Sequence, residues 1–331
     1  MNIGIIGAGG WGTTLAKTLC ENNEHVKIWT HESETRSEIN LHHTNHTYLK
    51  GIRLPTNISS TLEPSDLKNS DIFINAVPTQ FIRSVFKDFD FPLNNRLLVN
   101  VSKGIEINSL LRVSEIFTEI IDLDPENYVV LTGPSHAEEV ARKAPTTVVA
   151  ASDNHDNCAL VQSVFSTPYF RIYSSDDVIG CELGGSLKNI IAIAAGIIDG
   201  LKLGDNPKAA LITRGLANIS RLGAVFGANP MTFFGLSGFG DLIVTCNSKH
   251  SRNRYVGEQI GKGLKLPQIL NQMQMVAEGI GTTESAYKLS KKHDVEMPIV
   301  DKIYSILFED EEPLQAINDL MTRRSRREWW W

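Results

Sequence analysis

A short strand, three spaced glycines and a helix open this chain, and that combination confines the fold more than any other feature. Ile3-Gly-Ile-Ile6 is an apolar run, Gly7-Ala-Gly9-Gly-Trp-Gly12 follows it, and Thr14-Leu-Ala-Lys-Thr-Leu19 continues in a helical pattern. At this spacing the first glycine permits a tight turn and the second lets backbone approach a pyrophosphate. The third lets helix and strand pack closely. The helix N-terminus then offers free N–H groups to an anion. An ordinary glycine turn is the blander reading, but it does not account for the strand before and the helix after.

The alternation continues. His25–Trp29, Asp71–Val77, Leu97–Val101, Tyr128–Leu131 and Thr146–Ala151 read as strands, with helices over Ser109–Ile121 and His155–Phe165. Strand–helix alternation implies a doubly wound, mostly parallel sheet of the Rossmann type. Residues 31–65 are less regular and read as a long insertion or loop. After Asp176 the character changes. Glu182 opens a nearly all-round apolar helix, and Pro207–Gly223, Tyr255–Lys262, Thr283–Lys292, Pro298–Phe308 and Pro313–Arg323 all favour helix. A helix without a polar face belongs inside a bundle. The expectation is therefore an α/β fold: a dinucleotide-binding domain over 1–180 and an all-α domain over 181–331.

Bulk properties narrow the class. The 331 residues are ample for two domains, and a net charge of -6 argues against nucleic acid as the main partner. The cysteines Cys20, Cys158, Cys181 and Cys246 are scattered, which suits a reducing compartment and offers no cysteine-based metal site. No signal peptide precedes Asn2, and the longest apolar stretch, Ile190–Ile198, is too short to cross a bilayer. These readings point to a cytoplasmic protein with no integral membrane segment. The tail Arg323-Arg-Ser-Arg-Arg-Glu-Trp-Trp-Trp331 reads as a frayed end.

Cofactor choice is open. An acid ending the second strand would favour NAD by bonding ribose hydroxyls, but Trp29-Thr30-His31-Glu32 puts no acid at the terminus itself. His31 either contacts a 2′-phosphate, as NADP would require, or is a surface histidine. Three loops lie at strand ends, where doubly wound sheets bind ligands. Asn75-Ala-Val-Pro-Thr-Gln-Phe81 is placed to wall the cofactor, and Val101-Ser-Lys103-Gly offers a cation. Gly133-Pro-Ser135-His-Ala137 opens a helix and forms an anion seat.

In the second half, Glu182-Leu-Gly-Gly-Ser-Leu-Lys188-Asn places one lysine in an apolar helix. Burial disfavours the charged form of a lysine, which is how such a group moves protons near neutrality. The alternative is a lysine reaching to the surface. Gly235-Leu-Ser-Gly-Phe-Gly-Asp241 presents an acid that either steadies that lysine or caps a helix. Ser251-Arg252-Asn253 combines a hydroxyl, a planar fork of donors and an amide, a good phosphate grip, although Ser251 alone can be a cap.

Taken together, GAGGWGT, NAVPTQF, SKGIE, LTGPSHAEE, GGSLKNIIAIAAGI, LSGFGDLIVTCNSKHSRN and AEGIGT resemble the bacterial NAD(P)-dependent sn-glycerol-3-phosphate dehydrogenases almost end to end. The long glycine-to-SRN segment is highly specific. The resemblance implies reversible reduction of dihydroxyacetone phosphate to sn-glycerol 3-phosphate for phospholipid synthesis, with NADP or NAD and as a homodimer. It implies Lys188 as acid/base with Asp241 beside it. Substrate contacts would come from Lys103, Gly133, Ser135, Lys188, Asp241, Ser251, Arg252 and Asn253. Cofactor contacts would come from Gly7, Gly9, Gly10, Trp11, Gly12, His31, Phe81, Lys103, Ala137, Arg252, Val276 and Glu278. Departures from the family pattern are Gly10, where many relatives carry serine, His31, where many carry arginine, and the triple tryptophan. Two other readings stand beside it: a β-hydroxyacid or 6-phosphogluconate-type dehydrogenase of the same architecture, and a non-catalytic nucleotide sensor.

Overall fold

The computed structural model describes residues 1–23, 25–325, 327 and 328. By their packing these fall into two compact units. One is formed by Met1–Lys103 with Leu111–Glu182, the other by Gly104–Leu110 with the chain from Leu183 onward.

The first unit is built on eight strands: β1 (Asn2–Ile6), β2 (His25–Trp29), β3 (Ile58–Thr61), β4 (Ile72–Asn75), β5 (Leu97–Asn100), β6 (Tyr128–Thr132), β7 (Thr146–Ala151) and β8 (Phe170–Ser175). Their order is β3-β2-β1-β4-β5-β6-β7-β8, parallel throughout except for the antiparallel pair β6–β7. Ile5 pairs with Ile28 on one side and Ile74 on the other. These central strands are continuous apolar runs because helices cover both faces. The helices of this unit are α1 (Gly10–Leu19), α2 (Ser33–His42), α3 (Ile82–Phe86), α4 (Val113–Ile121), α5 (Ala137–Ala141) and α6 (His155–Phe165). Leu15, Ala16 and Leu19 of α1 and Val161 and Phe165 of α6 close the core.

Two expectations need correction. The stretch 31–65 is not a plain loop, since it holds α2 and β3. Its pattern is faint because α2 buries only Thr35 and Ile39, while β3 is a four-residue edge strand. The helix expected from Ser109 begins only at Val113, since Leu110 has a φ of 63° and breaks the run.

The second unit is helical: α7 (Val178–Gly200, whose first turn belongs to the first unit), α8 (Asp205–Val225), α9 (Asp241–Asn247), α10 (Arg252–Gly261), α11 (Leu266–Leu270), α12 (Glu278–Lys292), α13 (Pro298–Phe308) and α14 (Pro313–Met321). At 23 residues α7 is long and apolar enough to span a membrane by composition, so the shortness of Ile190–Ile198 is not the deciding fact. Its apolar window is wholly buried in protein, as a central bundle helix should be. Glycines set how closely α10 lies against it. A Cβ on Gly257 would stand 1.9 Å from the Ile193 carbonyl oxygen, and one on Gly196 would stand 2.0 Å from that of Arg254. The tail is not wholly a frayed end, because Arg214 Nη1 donates to the carbonyl oxygen of Glu328 at 3.0 Å. Arg326 and Trp329–331 lie outside the described residues.

Candidate active site

In the first unit the glycine turn behaves as its spacing demands. Gly7 takes a φ of 114° as β1 ends. A Cβ on Gly12 would lie 2.1 Å from the Gly7 carbonyl oxygen, so α1 can start here only without a side chain. At Gly9 nothing stands within 4 Å of the Cβ position. That open backbone, followed at once by the free N–H groups of α1, fits a pyrophosphate. Gly10 is tight for a different reason, since its Cβ would meet the Tyr48 carbonyl oxygen at 2.7 Å. Asn45 holds that loop against the turn by donating Nδ2 to the Ala8 carbonyl and to Thr13 Oγ1, both at 2.8 Å. Trp11 turns its ring toward Phe170, with centroids 6.4 Å apart. Ala137 opens α5 and accepts a hydrogen bond from Thr14 Oγ1 at 3.2 Å.

Beyond β2, the His31 side chain is 78% exposed. The nearby acid is engaged: Thr35 Oγ1 and the Tyr48 hydroxyl each donate to the Glu32 carboxylate at 2.5 Å. Burial pushes Glu32 upward, but these donors outweigh it and hold the carboxyl below its ordinary range. Tyr48 is pushed up to about 12 by burial and by that carboxylate.

The other strand ends are knitted by buried asparagines. Asn75 Nδ2 donates to Asn100 Oδ1 at 2.8 Å, and Ser102 Oγ donates to the Val77 carbonyl at 2.5 Å. This fixes the Pro78–Phe81 loop, on which Phe81 is half exposed, and the Lys103 loop. Three residues singled out from the sequence meet there. Lys103 Nζ and Ser135 Oγ both donate to the Gly133 carbonyl, at 3.3 and 3.0 Å.

In the second unit Lys188 does not reach for solvent. Its side chain is 7% exposed, and Nζ donates to Asp241 Oδ1 at 2.5 Å and to Thr245 Oγ1 at 2.6 Å. The Thr245 hydroxyl donates in turn to the Asp241 carbonyl at 2.6 Å. Asp241 begins α9 after a π-turn over Leu236–Gly240. Gly240 is the capping residue, and the aspartate is the first helical residue, its carboxylate bonded to the lysine. Gly184 makes room for this turn, since its Cβ would lie 2.7 Å from the Ser237 carbonyl oxygen. The thiol of Cys246, next along α9, is pushed up to about 12 by burial, despite the opposing charge of Lys188.

Ser251 caps α10 by accepting the Arg254 N–H at 3.2 Å. Arg252 is exposed on the first turn and has no carboxylate partner among the described residues. Asn253 Oδ1 accepts the Gly279 N–H at 2.9 Å and so ties α10 to α12. Val276 is exposed just before α12, whose first residue is Glu278. Sequence reading named neither Thr245 nor Asn45 as a site residue. The i, i+4 spacing of Asp241 and Thr245 on one helix face was the available signal for the first.

Known proteins match this arrangement along nearly the whole chain. Residues 2–158 match the model of the NAD-dependent glycerol-3-phosphate dehydrogenase N-terminus, and residues 177–318 match that of its C-terminus. The chain belongs to the NAD-dependent glycerol-3-phosphate dehydrogenase family. A glycerol-3-phosphate dehydrogenase [NAD(P)+] of Lysinibacillus sphaericus (strain C3-41) is 51% identical over 98% of this chain and 97% of its own. One of Chlorobium phaeobacteroides (strain BS1) is 48% identical over 99% of both. The crystal structure of glycerol-3-phosphate dehydrogenase from Coxiella burnetii superposes with a TM-score of 0.91 at 36% identity, covering 97% of this chain and 99% of that one. Family membership makes the chain an NAD(P)-dependent oxidoreductase acting on a CH–OH group. It decides against the hydroxyacid, 6-phosphogluconate and non-catalytic readings.

Proposed function

We propose that the chain interconverts dihydroxyacetone phosphate and sn-glycerol 3-phosphate with Lys188 as general acid and base. The buried Lys188–Asp241–Thr245 cluster carries this reading. Reduction adds a hydride to the carbonyl carbon and a proton to its oxygen. The bound nicotinamide of NAD(P)H supplies the hydride. The Lys188 ammonium donates the proton, and the neutral amine takes it back in the oxidative direction. Asp241 balances the ammonium's charge and, with Thr245, fixes its direction. Lys103, Gly133, Ser135, Ser251, Arg252 and Asn253 hold the substrate, with Arg252 taking the phosphate through its fork. Gly7, Gly9, Gly10, Trp11, Gly12, His31, Phe81, Lys103, Ala137, Arg252, Val276 and Glu278 line the cofactor. The product serves glycerophospholipid synthesis, and the enzyme acts as a cytoplasmic homodimer.

The test is absorbance at the nicotinamide band as dihydroxyacetone phosphate is added to protein with NADPH, then NADH, beside Lys188→Ala. Rapid oxidation by the wild type and near-silence in the variant support the reading. Silence of the wild type, despite measured cofactor binding, overturns it.

A further inference from the structure

The helical unit contains a cavity of about 400 Å³ that shares no residue with the Lys188 cluster or with Ser251-Arg252-Asn253. Ile197 of α7, Leu211 of α8, Ile303 of α13, and Ile317 and Leu320 of α14 give it apolar walls. Its size suits a small organic ligand. The rim is mostly cationic: Arg214, Arg221, Lys302, Arg323, Arg324 and Arg327 border it, against one acid, Glu328. Some of this charge is spent within the protein. Lys302 pairs with Glu311 at 2.6 Å, Arg323 pairs with Glu296, and Arg221 Nη1 donates to the Glu296 carbonyl. Arg214, Arg324 and Arg327 have no carboxylate partner among the described residues. Two of these three come from the arginine-rich tail that sequence alone reads as a frayed end.

In a chain of net charge -6, three uncompensated guanidiniums around one apolar cavity form a local field of the opposite sign. Apolar walls select a hydrocarbon chain, and guanidinium forks select a carboxylate or phosphate. We propose that this cavity binds a small anionic amphiphile, its headgroup held by Arg214, Arg324 and Arg327 and its unbranched chain buried among the isoleucines and leucines. The proposal is independent of the dehydrogenase reading, because it uses none of that site's residues.

Calorimetric titration of the full chain with hexanoate, octanoate and decanoate, each below its micellar concentration, tests it. Octyl phosphate, octanol and inorganic phosphate serve as comparison ligands. Affinity should rise about threefold to fourfold per added CH2. Octanol and inorganic phosphate should each bind about tenfold or more weaker than the charged chains. A preference between octanoate and octyl phosphate assigns the headgroup, and either preference supports the site. Arg324→Gln combined with Arg327→Gln should weaken octanoate about tenfold while leaving octanol unchanged. Met321 is 80% exposed at the rim, so Met321→Asp leaves the fold intact and should also weaken octanoate. Octanol binding as tightly as octanoate, or unchanged octanoate binding in the arginine variant, overturns the proposal. So does a halved sedimentation mass in Met321→Asp, which would make this face an interface between copies of the chain.

Discussion

Lys188 Nζ and Asp241 Oδ1 lie 2.5 Å apart although 53 residues separate them in sequence. Both side chains are almost fully buried, so the pair forms where water cannot compete. Asp241→Asn removes the charge and keeps the shape. It should lower kcat by about 10²-fold with KM for dihydroxyacetone phosphate little changed, the mark of a group that works through the proton donor. Steady-state kinetics of the two constants checks the split. A KM effect without loss of kcat would move Asp241 from proton chemistry to binding.

Arg252 should show the opposite pattern. Arg252→Ala removes the fork proposed to grip the phosphate and should raise KM for dihydroxyacetone phosphate by about 10²-fold, since hydrogen bonds to charged groups contribute about 1.5–3 kcal/mol. Arg252→Lys should recover only part of this, because an ammonium lacks the bidentate geometry. Full recovery by lysine would argue against the fork.

Gly10→Ser gives an unexpected sign. In this chain a serine Cβ at position 10 would stand 2.7 Å from the Tyr48 carbonyl oxygen. The loop anchored by Asn45 must move, at a cost of about 1–3 kcal/mol. Thermal unfolding should show a lower Tm for the variant, and an unchanged Tm would show that the loop yields freely.

Glu182 is the hub of a buried cluster within the first unit. It accepts from Arg112 Nη1 at 2.6 Å, from the Ser114 backbone N–H at 2.8 Å and from the Tyr128 hydroxyl at 2.7 Å. Burial, then the carboxylate, raises the tyrosine well above its usual pKa. Glu182→Ala leaves the Arg112 guanidinium to Glu115, 3.0 Å away, and takes the acceptor from the buried Tyr128 hydroxyl, so it should destabilise the protein by about 3 kcal/mol. Urea unfolding measures this, and a loss below about 1 kcal/mol would mean that solvent reaches the cluster.

Cys20 and Cys246 carry thiols pushed by burial well above the ordinary thiol range, up to about 12. A raised pKa keeps the thiol protonated in the folded state while the unfolded chain ionises. Their contribution to stability is therefore complete below about pH 9 and is lost as pH rises toward 12. Native protein at pH 8 should react slowly with iodoacetamide at these positions and rapidly once unfolded, as peptide mass mapping would show. Equal labelling rates in the two states would refute the burial.

Much of this protein is legible from local pattern. Gly7, Gly9 and Gly12 announce the turn after β1 because their spacing answers a purely local steric need. The unbroken apolar run around Ile190 announces a buried helix because no face of it can meet water. The edges of the pattern are where reading failed. The four residues of β3 and the mostly polar α2 have too little periodicity to stand out from loop, and in β8 the alternation of buried Phe170 and Ile172 with exposed Arg171 and Tyr173 lasts only four residues. Composition could nominate Lys188, Asp241 and Lys103 as chemically suited to a site, but it could not say what each touches. Whether Lys188 reached solvent or Asp241 capped a helix depended on Gly184 admitting the Ser237 carbonyl and on where α9 then begins. Likewise Gly10 is unremarkable until Tyr48, 38 residues on, closes over it. Glycine spacing and hydrophobic period act between near neighbours, so the sequence alone determines them. Ion pairs and close backbone approaches join residues far apart in the chain, and only the packed tertiary structure decides those.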